Sequence, residues 1–442
     1  MTGKCPFSSR RGFLAAAGGL MAAAPVTALR AQTATQKGIT PAAQGPGRGL
    51  TEPFYAPRQG GIVTALQSHT FFATFDLAAD RSDQIVTMLK AWTEAAARMT
   101  QGLPAQPMDA YGQGEDKPAG DSGEAIGLAP ARLTITFGFG PGLFVKNGKD
   151  RYGLAGHRPE AFVDLPAFTG EQLVAAQTGG DLSVQACADD PQVAFHAIRQ
   201  LARIAYGTAD LKWTQTGFMS NYAAEDTPRN LMGFKDGTQN PTATRPEATS
   251  GGSPRAGLNE VVWVTDKGPA WMHGGSYMVA RRIRIALEHW DRTEISFQEE
   301  VIGRHKYSGA PLGMKNEFDP LDLDRTDKDG NSIIPDTAHV RLGAPESNGG
   351  AQILRRAYSY NDGSNFTAER WPPWRQGIEF DAGLLFICYQ RDPRAGFIRI
   401  FDQMSKLDAM NQYTTHVGSG IFACPPGPAQ GGYIGQKLFE AV

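Results

Sequence analysis

Two stretches of the chain run through the same order of elements, and this repetition limits the fold more than any other feature. In the first, "GGIVTALQSHTFFATFDL" is rich in β-branched and aromatic residues and reads as a strand. "DRSDQIVTMLKAWTEAAARM" follows, with Ile85, Met88, Leu89, Trp92 and Ala96 at helical spacing behind an acidic first turn at Asp80 and Asp83. "ARLTITFGFGPGLF" is a second strand running into a glycine turn, "PQVAFHAIRQLARIAYG" a second helix and "LKWTQTGFM" a further strand. In the second stretch, "GSYMVARRIRIALEHW" reads as a long strand and "DRTEISFQEEVIGRH" as a helix starting at an Asp cap. "AGLLFICYQ" is a buried strand, "AGFIRIFDQMSKLDAM" a helix and "HVGSGIFACPP" the last strand. Strand–helix–strand units with antiparallel turns, occurring twice, predict an α+β chain of two ferredoxin-like halves with antiparallel sheets and peripheral helices. The Pro/Ser/Gly-rich segment 241–256 divides them, giving an N-terminal half at 59–240 and a C-terminal half at 241–442.

The first residues belong to neither half. "SSRRGFLAAAGGLMAAAPVTALRAQ" sets Arg10-Arg11 before Phe13-Leu14 and a weakly apolar Ala/Gly/Leu run that ends in small residues. It reads as a twin-arginine export signal over 1–31, cleaved near Ala31, with an extended linker at 32–58. That route carries folded proteins and is used heavily by those that take up a cofactor first. The expectation is a periplasmic protein with a bound redox cofactor and the twin-arginine translocase as its partner in export.

Several functions lack their equipment. With 43 basic and 45 acidic side chains the formal net charge is −2, which offers no electrostatic case for nucleic acid. No apolar run in the body is long enough to span a bilayer. Of four cysteines, Cys5 leaves with the signal, and Cys187, Cys388 and Cys424 stand far apart, against a thiolate metal site. There is no HExxH and no G-x-S-x-G elbow. His69, His157, His196, His273, His289 and His416 read as packed or solvated imidazoles.

Three places carry chemistry. "MGFKDGTQNP" places Asp236 in a loop with Gly233 and Gly237 around it, which is turn chemistry with an unexplained carboxylate. "DTAHVRLGAPESNGGAQILRRAYSYNDG" sets His339 near Arg341, then Arg355 and Arg356 behind the apolar Ile353-Leu354. An arginine ending an apolar run is costly to bury unless an acceptor receives it. Iron held by one imidazole, with Arg and Asp across from it, would satisfy all three residue types. This is what peroxide chemistry on haem requires: an open position opposite the imidazole, a carboxylate to move a proton, and a guanidinium to stabilise charge as the O–O bond breaks.

At this point the chain resembles a known family, the dye-decolourising peroxidases, in particular their twin-arginine-exported, periplasmic iron-uptake subgroup (deferrochelatase/peroxidase). "GFKDGTQNP" looks like the G-x-x-D-G motif of that family. "SYMVARRIRIALEHWDRTEISFQEEVIGRHKYSGAPLG", "HVRLGAP", "ILRRAYSY" and "GLLFICYQRDP" follow in the family's order. The resemblance implies two ferredoxin-like halves of the dimeric α+β barrel type and one haem b (iron protoporphyrin IX) per chain, held mainly by the C-terminal half. His339 becomes the proximal iron ligand, Asp236 the distal acid–base residue and Arg355 the distal arginine. Arg304 faces a haem propionate, Leu384 and Phe386 line the distal face, and Gly233 and Gly237 let the loop pass close over the cofactor. Ala357 departs from the family's usual Gly or polar residue, and "NFTAERWPPWRQG" is longer and more aromatic than usual. Trp371, Trp374, Trp290 and Tyr358 are candidates to pass electrons, against simple packing.

The implied reaction reduces hydrogen peroxide through a ferryl-oxo intermediate while oxidising phenolic or dye-like donors. A carboxylate base, with an intrinsic pKa near ~4, gives an acid optimum. The subgroup's name adds an alternative, release of iron from haem with the porphyrin left intact as substrate. Haem binding and delivery without turnover is another. The family's tendency also makes a homodimer the assembly to expect.

Overall fold

The computed structural model describes residues 49–107, 119–220, 226–241, 257–265, 267–368 and 376–441. The export signal, most of the linker, the 242–256 join, Trp371 and Trp374 lie outside the described residues.

The N-terminal half contains β1 (His69–Leu77), α1 (Ser82–Met99), β2 (Thr134–Phe139), β3 (Leu182–Ala188), α2 (Pro191–Ala205) and β4 (Ala209–Phe218). The C-terminal half contains β5 (Ser276–Ile285), α3 (Ile295–Ile302), β6 (Tyr358–Ala368), β7 (Gln376–Gln390), α4 (Arg399–Leu407) and β8 (Thr414–Cys424). Strands lie antiparallel in the order β2-β3-β1-β4 in one half and β6-β7-β5-β8 in the other. Each half is thus a split βαβ unit, as the repetition predicted. The two sheets meet at both edges through single residue pairs, Phe139 with Ala423 and Phe218 with Ser359, so the strands close into a ring. Closure removes exposed sheet edges.

Alternation along each strand divides the side chains between the inside of this barrel and its outer face. Phe72, Met278, Leu385, Ile387, Tyr389 and Phe422 point inward and are fully buried. Each contributes roughly 1.5–3 kcal/mol by leaving water. On the N-terminal half the outer face is sealed by α1 and α2. Trp92 of α1 stacks on Phe137 of β2 at 5.7 Å and donates from Nε1 to the Leu201 carbonyl of α2 at 2.8 Å. Asp190 caps α2, its carboxylate accepting from the Gln192 and Val193 amides, with Pro191 in the first turn. The described end of the linker packs Phe54 into the core, and Gln59 just after it donates to the carbonyls of Phe137 in β2 and of Pro425 beyond β8.

Two local expectations are corrected. The long strand stops at Ile285 and turns into a one-turn helix, Leu287–Trp290, which buries Trp290 against Phe234 and Tyr413. Asp291 therefore ends that short helix, its amide donating to the Leu287 carbonyl, and does not start the next one. α3 starts after Glu294 without a side-chain cap. Trp290 is packed, its Nε1 donating to the Met232 carbonyl at 3.0 Å, and holds the loop that carries Asp236. Tyr358 points into the barrel and is buried.

On the C-terminal half the helical layer does not close on the sheet. Ile283 and Ile285 of β5 and Leu384 and Phe386 of β7 form one wall, while α4 and the one-turn helix His339–Gly343 form the other. Between them lies a cavity of about 1960 Å³, its open mouth included.

Candidate active site

Asp236 enters this cavity on a loop pinned at several points. Its amide donates to the Pro228 carbonyl at 2.7 Å, Thr238 Oγ1 donates to Glu317 Oε1 at 2.9 Å, and Lys235 is paired with Glu317. Both glycines of the motif have positive φ, +84° at Gly233 and +121° at Gly237. They are turn requirements that a side chain would strain. Gly237 lines the cavity, whereas Gly233 does not and acts through the shape of the turn.

Arg355 comes from the other side of the loop. Its two-residue strand, Leu354–Arg355, pairs with β7 in the register that β6 continues, so Arg355 and Arg356 point to opposite faces. Arg356 goes into the barrel, where Thr64 and Gln67 receive it, and Arg355 goes into the cavity. Asn240 clamps Arg355 by its backbone, accepting from its amide and donating to its carbonyl, both at 2.8 Å. The outcome is an ion pair, Arg355 Nη1 to Asp236 Oδ1 at 2.6 Å, with Asn230 near the other carboxylate oxygen at 3.5 Å. The two side chains keep 28 % and 23 % of their surface, so the pair is reachable from the cavity. Burial pushes the Asp236 pKa up, but the adjacent Arg355 outweighs it and holds the carboxyl below its ordinary 3.8.

His339 opens its one-turn helix in the opposite wall, near enough that its charge and that of Asp236 act on each other. Its Nδ1 meets Oδ2 of the buried Asp408 at 2.7 Å. A carboxylate accepts, so Nδ1 carries the proton and Nε2 is left with its lone pair. Burial disfavours a charged ring, yet Asp408 prevails and the His339 pKa is raised. Asp408 also accepts from the Met410 amide at 2.8 Å, which fixes the carboxylate in place.

Arg304, Leu384 and Phe386 line the same cavity. Arg304 is buried and donates through Nη1 to the carbonyls of Gly309 and Glu317. A smaller cavity of about 680 Å³ adjoins the first and shares Asp236, Gly237, Asn240, Arg355 and Leu384 with it. Ala357 lines this annexe. The structure thus brings together every expected side chain, with Gly233 alone outside the cavity. Sequence reasoning missed Asp408, Asn240, Asn230 and Glu317. Asp408 looks like an ordinary cap of the short helix after it, and nothing local marks it as the partner of a histidine 69 positions away.

The donor set fits haem b. One imidazole is tautomerically prepared to ligate iron, the facing wall carries an acid–base pair instead of a second ligand, and the sides are apolar. Cys388, the described cysteine nearest in sequence to the wall residues, is buried with its thiol pKa pushed up to about 12, so it offers no competing thiolate. Asp408→Ala is expected to weaken haem retention about 10–100-fold, the usual cost of losing such an orienting partner. Haem transfer to excess apomyoglobin measures it, and release at the wild-type rate would refute the role.

A two-half barrel with one prepared imidazole facing an Asp–Arg pair defines the class, a haem peroxidase. Comparison with known proteins gives the family. The model for the N-terminal part of Dyp-type peroxidases matches residues 59–219, and the model for their C-terminal part matches 227–429. The dye-decolorizing peroxidase of Thermobifida fusca is 36% identical over 98% of this chain and 97% of its own. A deferrochelatase of Yersinia pestis is 34% identical over 88% and 85%. A DyP-type peroxidase from Streptomyces coelicolor, 37% identical, superposes with a TM-score of 0.78 over 90% of this chain and 100% of its own. The chain belongs to the Dyp-type peroxidase family.

Proposed function

We propose that this protein reduces hydrogen peroxide at the Asp236–Arg355 side of the cavity and oxidises phenolic or dye-like donors. The single observation that supports this most is the opposition of two prepared groups, His339 held by Asp408 and Asp236 held by Arg355. Haem b would be held by His339 through Nε2, with Arg304 beside a propionate and Leu384 and Phe386 against the distal face. When bound, it supplies the redox chemistry that accompanies O–O cleavage. Asp236, ionised, takes the proton from the inner peroxide oxygen and returns it to the outer one, which leaves as water. Arg355 keeps Asp236 in position and donates to the charge that develops on the departing oxygen. Asp408 keeps the proton on Nδ1 of His339, so that Nε2 stays available. The annexe beside Asp236 suits a molecule as small as peroxide.

The depressed pKa of Asp236 sets the pH behaviour. A base must be ionised to act, and this carboxyl is ionised down to below its ordinary 3.8. The rate of the peroxide step is expected to hold through the acid range and to fall only below about pH 4. The same sign governs stability: the contribution of the ion pair is present above the unfolded-chain value and is lost as pH falls through the lower folded one. Stopped-flow absorbance with one equivalent of peroxide across pH 3–8 reads the profile. A limb centred near neutrality would remove Asp236 from its role.

The paired arginines at the N-terminus support export of the folded protein to the periplasm by the twin-arginine route. Signal-peptide variants with Arg10→Lys and Arg11→Lys, followed by fractionation, test this: unchanged periplasmic yield would exclude that route. Iron release, the activity in the name of several relatives, finds among the described residues lining the cavity none that would extract a metal from an intact porphyrin. Free protoporphyrin fluorescence appearing from added haem without peroxide would restore that reading.

A further inference from the structure

A second histidine, His416 on β8, lines the same cavity, and its surroundings are the reverse of those of His339. Its Nδ1 accepts from Nε of Arg281 at 3.1 Å. Arginine has donors only, so this nitrogen cannot carry a proton and the ring is neutral with its hydrogen on Nε2. Arg281 cannot turn away. It is buried, donates to Ser419 Oγ at 2.6 Å, is paired with Glu171 and lies 5.3 Å from the ring centres of Phe168 and Phe401. Phe401 also packs on the imidazole at 4.5 Å. Burial and the Arg281 charge both hold the His416 pKa well below its ordinary value.

The two cavity histidines are therefore opposite tautomers set by partners of opposite charge. Asp408 makes Nε2 of His339 a lone pair, whereas Arg281 makes Nε2 of His416 an N–H donor and disqualifies it as an iron ligand. No protein acceptor among the described residues meets that N–H. A donor on a cavity lining without a protein acceptor is free to receive one that a ligand brings. The guanidinium behind it favours an anionic acceptor. Of the carboxylates that line a cavity with His416, Glu171 is paired with Arg281, Asp408 with His339 and Asp236 with Arg355, while Glu300 and Glu346 are exposed to water. Haem b carries two carboxylates and no other anionic group.

We infer that His416, held as the Nε2–H tautomer by Arg281, is a binding residue for a carboxylate of the cofactor. This rests on the haem reading above and adds a residue and a role to it. Haem and its dimethyl ester, which lacks the anionic acceptors, are loaded into wild type, His416→Phe and His416→Gln, and release to excess apomyoglobin is timed. Haem is expected to leave His416→Phe about tenfold faster than wild type, the factor of one charge-assisted hydrogen bond. Gln, which keeps an N–H donor, recovers most of the difference, and with the ester wild type and His416→Phe release alike. The same ratio for ester and haem, or a Gln variant as leaky as Phe, would overturn the inference. So would unchanged haem release with a raised KM for 4-hydroxybenzoate but not for phenol, which would assign the donor to a substrate carboxylate. A wild type with no Soret band would sink the haem reading itself, whereas a normal Soret band with ester-independent ratios sinks this inference alone.

Discussion

Asp236→Asn is expected to lower kcat/KM for hydrogen peroxide by about 10²–10⁴, the range for losing a positioned proton-transfer group. The amide is nearly isosteric, so the loop should survive: its shape is set by Gly233, Gly237 and the Asn240 clamp, which the change does not touch. What disappears is a base that is ionised in mild acid. Two further readouts separate chemistry from structure. The Soret band at rest should be unchanged, because His339 and Asp408 are intact, and KM for the organic donor should move little. A variant that reacts with peroxide at the wild-type rate and over the same pH range would show that the proton travels another way.

Arg355→Leu is expected to cost about 10²–10³ in the same constant, the scale of removing one preorganised donor from a developing charge. It has a second consequence that a purely structural arginine would not. Arg355 is what overcomes the burial of Asp236, so without it the Asp236 pKa rises, and the acid limb of the peroxide step should move to higher pH. Arg355→Lys keeps the charge without the planar fork and should restore part of the pH profile but less of the rate. Since the two groups are 2.6 Å apart, the double variant should lose less than the sum of the two single losses. An unmoved acid limb in Arg355→Leu would separate the ion pair from catalysis.

Much of this was legible along the chain. The repeated strand–helix–strand plan carried the two halves because each half is built from local periodicity. The helical stripe of α1 from Ile85 to Met99 is buried as its spacing requires. Asp236, His339 and Arg355 stood out because their types were unusual for their places: a carboxylate in a glycine turn, an arginine ending an apolar run. The errors arose where a tertiary contact overrode a local pattern. The strand pattern through Ile285 yields to a helical turn because Trp290 must bury against Phe234 and Tyr413. His416 is packed as read, against Phe401, but its tautomer is set by Arg281, 135 positions away, which no local pattern shows.

The division has a physical reason. Spacing and residue type report which side of an element faces the core, and that settled the two ferredoxin-like halves and the turn at Asp236. The chemical state of a side chain depends on what meets it, and those partners arrive from distant parts of the chain. Only the folded structure puts Asp408 on one cavity histidine and Arg281 on the other, leaving Nε2 of the first with a lone pair and Nε2 of the second with a proton. It alone leaves the C-terminal sheet uncovered where the N-terminal one is sealed. The halves share a pattern, but the space between a sheet and its helices is fixed by packing, and no periodicity encodes it.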